Sequence, residues 1–285
     1  EEAIAGPGGV TGQQTAGWIW ASADAKMADA IRQLSGRKGI DPREFVLGAF
    51  GGAGPMQACA TADELDIERV LVPEMPGIFS AWGMLQSDIR QDLSRTMQCN
   101  LAKADIGEIA RKFDEMTIEA MALLEKQDIS RQQAEFVRSA DMRYLGQEST
   151  VRVTLSGETV NSAAIAQMTD TFHTMHHQIY GHSNPGGEVE MVNLRLVGLG
   201  RLEKKPKEPS KRHSTEAPTP VKSQKAVFGG NAYDTGIYDR KAPIPGQRFS
   251  GPAIVQELTA TTVVPPGWHV TIDRYNNLLI TKSGK

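Results

Sequence analysis

Val46-Leu-Gly-Ala-Phe-Gly-Gly-Ala-Gly-Pro-Met56 decides the fold class: a strand-like apolar run feeds a Gly-rich turn that opens into an alanine-rich helix. Glycines let a backbone approach a ligand without a Cβ in the way, and the following helix offers unpaired N–H groups and a positive dipole end. The run is neither the dinucleotide fingerprint nor a P-loop, because no Lys-Ser/Thr follows the last glycine. Taken alone it reads first as a tight strand-to-helix turn.

Working outward, residues 45–50 are expected to form a fully buried strand, 56–65 a helix and 69–73 the next strand, a unit that makes a parallel sheet. Upstream, Trp20, Ala23, Met27, Ile31 and Leu34 recur at helical spacing and predict one buried stripe on a helix over 18–34. Downstream, 76–85 reads as a short helix under the sheet's carboxyl edge, and 88–99 as extended. Asp105 and Glu108 are a capping pair for a long helix whose stripe is Ile106, Ile109, Phe113, Met116, Ala120 and Leu123. Alternation over 136–144 and 149–155 predicts a strand pair. A helix over 161–180 follows, with Ile165, Met168, Phe172 and Ile179 on one face and Gly181 as its C-cap, and then a long strand over 189–202.

Residues 203–225 are rich in Lys, Pro, Ser and Thr and read as a loop or linker. Beyond them short strands are expected at 226–228, 235–238, 253–256, 261–264, 269–273 and 278–281, with Asn276-Asn277 as a hairpin turn. The expected division is therefore an α/β domain over 1–203 with an inserted α+β segment, a linker over 204–225, and a small β-rich domain over 226–285.

At 285 residues the chain exceeds the usual span of one core, which agrees with two domains. Its 40% apolar and 23% charged residues are those of an ordinary soluble globular protein. A net charge of −3 gives no reason to expect nucleic acid or an anionic membrane as partner. No apolar run approaches the ~20 residues that span a bilayer, and no signal peptide is visible. Cys59 and Cys99 have neither a metal spacing nor a disulfide framework, which suits a reducing cytoplasm. The chain starts at Glu1 without an initiator Met, with a polar Gly-rich lead, so a fragment or processed end of a longer chain is expected.

Several patterns could carry chemistry. His173 and His177 stand four apart on one helical face, the spacing of two zinc ligands. The Glu of His-Glu-x-x-His is absent, however, and His176 falls on the apolar stripe, so packing or hydrogen bonding is the better reading. Asp234-Thr-Gly236 resembles an aspartic protease loop but has no second copy to share a proton, and reads as a β-turn. No Gly-x-Ser-x-Gly elbow is present. In Asp141-Met-Arg-Tyr-Leu-Gly-Gln147, Arg143 and Gln147 beside a glycine suit carboxylate, phosphate or amide recognition, or equally a structural turn and ion pair.

Read together, the segments resemble the hydantoinase A and 5-oxoprolinase family. The matching strings are Met27-Ala-Asp-Ala-Ile-Arg32, Asp41-Pro-Arg-Glu-Phe45, Gly51-Gly-Ala-Gly-Pro55, Pro76-Gly-Ile-Phe-Ser-Ala-Trp-Gly-Met-Leu85, Asp88-Ile-Arg90, Arg143-Tyr-Leu-Gly-Gln147, Val192-Asn-Leu-Arg195, Gly251-Pro-Ala-Ile-Val255 and Thr261-Thr-Val-Val-Pro-Pro-Gly-Trp268. Gln57 stands where the family usually has His, and Lys26 where it usually has Asn. The resemblance implies the second half of an actin-like (ribonuclease H-like) ATPase domain followed by the β-rich C-terminal domain. It implies ATP with Mg²⁺, Gly51, Gly52, Ala53 and Gly54 as the turn against the adenosine, and Gln57, Arg143 and Gln147 as substrate or phosphate contacts; no catalytic base is assigned. Phosphate loops of the Asp-x-Gly-Thr type are not found in this sequence.

The activity so implied is ATP-dependent hydrolysis of a small cyclic amide in the cytoplasm, by phosphorylation of a stable amide oxygen and attack of water. A hydantoinase B-like subunit or domain and an oligomeric assembly are the implied partners. A subunit of an acetone or acetophenone carboxylase and a non-catalytic assembly module remain open as alternatives.

Overall fold

The computed structural model describes residues 9–157, 159–204 and 206–283. In chain order its longer elements are α1 (Gly12–Arg37), β1 (Leu47–Gly48), α2 (Gly54–Glu64), β2 (Arg69–Val72), α3 (Phe79–Leu85), β3 (Ile89–Asn100) and α4 (Ile106–Glu125). They continue with β4 (Ala134–Tyr144), β5 (Val151–Thr154), α5 (Ser162–Tyr180), β6 (Val189–Gly200), β7 (Lys222–Phe228) and β8 (Asn231–Asp239). The last are β9 (Arg248–Ser250), β10 (Ala253–Gln256), β11 (Thr261–Val264), β12 (Trp268–Ile272) and β13 (Leu278–Lys282). The fold is thus mixed α/β with three sheets.

The chain divides into two compact units, one made of residues 1–85 with 205–285, the other of 86–204. This differs from the boundaries expected near 203 and 226. The reason is strand pairing: β13 pairs antiparallel with β2, so the sheet has the order β1-β2-β13-β12-β9 and joins the start of the chain to its end. The segment expected as a separate β-rich domain is split between that sheet and a second one of order β11-β10-β8-β7. Residues 203–221 contain no helix or strand among those described, and β7 begins at Lys222.

In the unit containing both ends, β1 and β2 pair in parallel across α2, the strand-helix-strand arrangement expected of the opening run. A continuous core joins Ala58, Cys59 and Ala62 of α2 to Val70 and Val72 of β2 and to Trp268, Val270, Ile272, Leu278 and Ile280 of β12 and β13. The buried strand expected over 45–50 is reduced to Leu47–Gly48, and Phe45, Val46 and Phe50 are 53%, 41% and 49% exposed. Among the described residues β1 pairs with β2 alone, so no strand there covers its outer edge or the flanking side chains. The stripe expected on α1 is likewise rotated: Asp24 and Ala28 are buried and Ile31 packs on the core, while Trp20 and Leu34 are exposed. Helix α3 forms where expected, but none of its residues is buried.

The other unit is a four-stranded antiparallel sheet, order β3-β6-β4-β5, with α4 and α5 packed on one face. Asp105 caps α4 by accepting from the Gly107 and Glu108 N–H groups, and Ile109, Phe113, Met116, Ala120 and Leu124 form its buried stripe. The stripe ends on Leu124 instead of Leu123, because the contact face drifts along a straight helix. Left-handed Gly181 (φ +77°) ends α5, as expected, and Asn161 caps its start; the buried face closes on His176, and Ile179 is exposed.

Candidate functional site

Three loops converge at the Gly-rich turn. Gly51 takes φ +82°, a region that only glycine occupies without strain, and its N–H donates to the Pro76 carbonyl at 2.7 Å. Ala49 N–H donates to the Leu71 carbonyl at 2.8 Å, which fixes the turn to the end of β2. A Cβ on Gly52 would lie 3.4 Å from the Thr259 carbonyl oxygen, so the turn rests against the hairpin between β10 and β11. Gly77, in the third loop, meets the same Thr259.

The outer backbone of Gly52 and Ala53 is exposed, and Ala53 heads α2 without a side-chain cap. The turn therefore presents bare backbone to solvent at a helix N-terminus, an arrangement open to a polar ligand. Gln57 sits in the first turns of α2, half-buried. Beside the turn, Phe50 and Phe79 approach ring to ring at 5.4 Å, and Phe79 stacks on Trp82 at 5.4 Å and 21°. Phe50 and Trp82 remain half exposed.

The same unit holds buried ionisable groups. Asp24 on α1 is 4% exposed and its Oδ1 has no hydrogen-bond partner among the described residues. Burial pushes its pKa up to about 6, with Glu64 adding to the rise and a hydrogen bond from Trp20 opposing it. Arg240 is buried, donates to the Asn276 carbonyl, and has its pKa lowered by burial against the pull of Glu257, Glu74 and Asp273. Burial raises Glu257, and Arg240 counters it. Glu257 N–H and the Ala260 carbonyl, 3.1 Å apart, close the hairpin that carries Thr259.

Arg143 and Gln147 lie in the other unit, and each has a partner there. Arg143 Nε donates to Glu190 Oε1 at 2.6 Å, and the Glu190 side chain is 7% exposed. Gln147 meets His176 Nε2 at 3.2 Å, while His176 Nδ1 is 2.8 Å from the His182 carbonyl. The His182 carbonyl and Gln147 Oε1 are both acceptors, so each ring nitrogen of His176 faces an oxygen. Tyr144 Oη accepts from Asn184 N–H at 2.7 Å and donates to His173 Nδ1 at 2.7 Å. The histidines of α5 thus tie its end to the sheet and the 181–188 loop, the packing role expected of them. Among the described residues no group of three or more His, Cys, Asp or Glu is placed to hold a metal.

The hairpin loop 257–260 and the aromatic trio are not legible as parts of a site in the sequence. The loop lies between the strings 251–255 and 261–268, and no residue in Glu257-Leu-Thr-Ala260 carries a signal beyond a strand connection. The aromatics lie inside strings already singled out, but their apolar character points to a core.

Comparison with known proteins follows the same segments. Residues 2–93 match the family model described as hydantoinase/oxoprolinase, and residues 97–282 match the hydantoinase/oxoprolinase C-terminal domain. An uncharacterised protein of Methanocaldococcus jannaschii is 32% identical over 260 residues, covering 91% of this chain and 37% of the relative. Caprolactamase subunit alpha of Pseudomonas jessenii is 29% identical, covering 95% of this chain and 40% of the relative. The crystal structure of the ATP-dependent caprolactamase from that organism superposes with a TM-score of 0.79 at 28% identity, over 99% of this chain and 42% of that one. The nucleotide-free structure of an acetone carboxylase shares the fold, with a TM-score of 0.77 at 23% identity over 98% of this chain and 41% of that one. The chain spans about two fifths of the length of these relatives.

Proposed function

Since the chain belongs to the hydantoinase/oxoprolinase family, we propose that it is the C-terminal portion of an ATP-dependent hydrolase of cyclic amides and supplies the adenosine side of the ATP site. The observation that carries this reading is the turn Gly51–Gly54. A positive φ at Gly51, exposed backbone at Gly52 and Ala53 and the Thr259 loop behind them make a surface that a flat ligand can approach closely. By this reading the first unit is the second half of an actin-like ATPase domain. Gln57, one turn into α2, is the nearest candidate for a polar contact, and Arg143 and Gln147, within the second unit, are separate candidates for a substrate or phosphate contact.

The residues fit the two groups unequally. The glycine turn suits a nucleoside, whereas no described cluster of carboxylates suits Mg²⁺. ATP supplies the phosphoryl group that turns a poor leaving oxygen into a good one. What this chain's residues do is hold the nucleoside in register for that transfer. A hydantoinase B-like subunit is the proposed partner, in keeping with relatives designated subunit alpha and beta subunit.

The test is ATP turnover by the intact protein with its partner, offered 5-oxoproline, hydantoins and lactams. Lactam- or hydantoin-dependent release of phosphate is expected, and no release with any of these compounds overturns the hydrolase reading. The fold shared with acetone carboxylase favours one second reading, a carboxylase subunit. Bicarbonate-dependent ATP consumption with a ketone would establish that reading in place of the first.

A further inference from the structure

The four-stranded sheet of the second unit has helices on one face only, and its other face carries a cleft of about 300 Å³. That volume is at the lower end of small-molecule sites. Strand register builds the cleft. Ser94, Arg195, Ser139 and Thr154 stand opposite one another across β3, β6, β4 and β5, and Thr96, Asn193, Asp141 and Arg152 form the next row.

Asp141 is the anchor of this face. Its side chain is 5% exposed and accepts from Arg195 Nε at 2.6 Å, Arg152 Nε at 3.2 Å and Asn193 Nδ2 at 3.3 Å. Burial alone would raise its pKa, but the hydrogen bonds from Arg195, Arg152 and Asn193 outweigh burial and hold it below the usual carboxylate value. A buried carboxylate needs one cation to be neutral, and Asp141 has two. Both guanidiniums bond it through Nε, and among the described residues neither has a hydrogen bond from its terminal nitrogens. Both also line the cleft, with the hydroxyl residues Ser94, Ser139 and Thr154. At the rim Asp92 accepts from Arg90 at 2.6 and 2.8 Å and also feels the charge of Arg152 and Arg195, so three arginines face two carboxylates across the cleft.

The surplus is one positive charge, carried on paired guanidinium forks that a buried residue holds in place. Such forks match the planar oxygens of a carboxylate or phosphate. We propose that this cleft binds a small oxyanion, a carboxylate or phosphoryl group, on the terminal nitrogens of Arg152 and Arg195, with Asp141 as the residue that positions them. The site lies wholly within the second unit and does not depend on where ATP binds.

The intact protein, unmodified, tests this by arginine labelling with phenylglyoxal at constant ionic strength, mapped by mass spectrometry. Millimolar inorganic phosphate or succinate is expected to slow labelling of Arg152 and Arg195 about tenfold, as charge-assisted bidentate bonds would. Arg43 and Arg111, exposed and paired elsewhere, serve as references and should not change. Protection by phosphate alone names a phosphoryl ligand and protection by succinate alone a carboxylate. No slowing by either, or equal slowing at Arg43 and Arg111, overturns the proposal. As a second readout, calorimetric affinity for the protecting anion should fall about tenfold in the R152K/R195K variant, which keeps a cation on each side of Asp141 but loses the fork. Unchanged affinity in that variant also overturns it.

Discussion

Gly77 and Thr259 are in such close contact that a methyl group on Gly77 would lie 2.2 Å from the Thr259 hydroxyl and 2.5 Å from its Cβ. The loop before α3 and the β10–β11 hairpin are locked by this absence of a side chain, and both lie against the Gly51–Gly54 turn through Pro76 and Gly52. Gly77→Ala should therefore lower stability by about 1–3 kcal/mol, the cost of forced overpacking. Because the clash is with the Thr259 side chain first, Gly77→Ala combined with Thr259→Gly should cost less than the sum of the two single changes. Chemical denaturation of the four proteins measures the coupling, and strict additivity would refute the contact.

The glycines of the turn should separate backbone strain from ligand access. Gly51 has a positive φ with open space around the Cβ position, so Gly51→Ala is expected to cost about 1 kcal/mol through the backbone alone. Gly52 has no such φ and would meet only an ordinary contact at 3.4 Å, so Gly52→Ala should leave stability within about 0.5 kcal/mol. If the nucleoside lies on this turn, Gly52→Ala raises the KM for ATP in the intact enzyme while its melting temperature is unchanged. An unaltered KM in Gly52→Ala and in the bulkier Gly52→Val would move the nucleoside elsewhere.

Local signals in the sequence were enough for most elements but not for their assembly. The α4 stripe up to its last residue, the Gly181 cap of α5 and the β4–β5 pair follow from periodicity and capping chemistry within a few residues, and they form where expected. The union of β2 with β13 could not be read in this way, because Arg69–Val72 and Leu278–Lys282 each show only a short apolar run and nothing local records a partner 200 positions away. The same limit applies to the site. The strain at Gly51 is implied by a glycine after a strand, whereas the arrival of Thr259 behind it depends on how two distant loops pack. Phe50 misled the reading because an aromatic residue in an apolar run signals burial, and here it stands beside Phe79 at a half-exposed surface.

The Arg143–Glu190 pair has a structural role that mutagenesis can separate from ligand contact. With the Glu190 side chain 7% exposed, Arg143→Met would leave a buried carboxylate unpaired and should cost about 2–4 kcal/mol. Replacing both residues, Arg143→Met with Glu190→Met, removes the stranded charge and should recover most of that loss. Thermal unfolding of the three variants gives this comparison. A substrate contact by Arg143 would appear separately, as a rise in substrate KM that persists in the stable double variant.

Asp24 should make the protein less stable as pH rises through the mildly acidic range. Its pKa is raised from 3.8 to about 6 in the folded chain, chiefly by burial, so folding favours the protonated carboxyl. Below the unfolded value of 3.8 both states hold the proton and the group carries no penalty. Between pH 4 and 6 the unfolded chain releases the proton more readily than the folded one, and stability falls with increasing pH; above about 6 the full penalty is in place. Its size should be of order 1–3 kcal/mol, from 1.36 kcal/mol per unit of pKa difference reduced for partial solvent screening. Asp24→Asn keeps an acceptor for Trp20 and removes the ionisation, so it should be more stable than the parent at pH 8, nearly equal to it at pH 4, and should flatten the profile between them. Melting temperatures of both proteins across that range provide the measurement. A parent whose stability rises relative to Asp24→Asn between pH 4 and 6 would show that the carboxylate is stabilised in the fold, contrary to its buried and half-unpartnered position on α1.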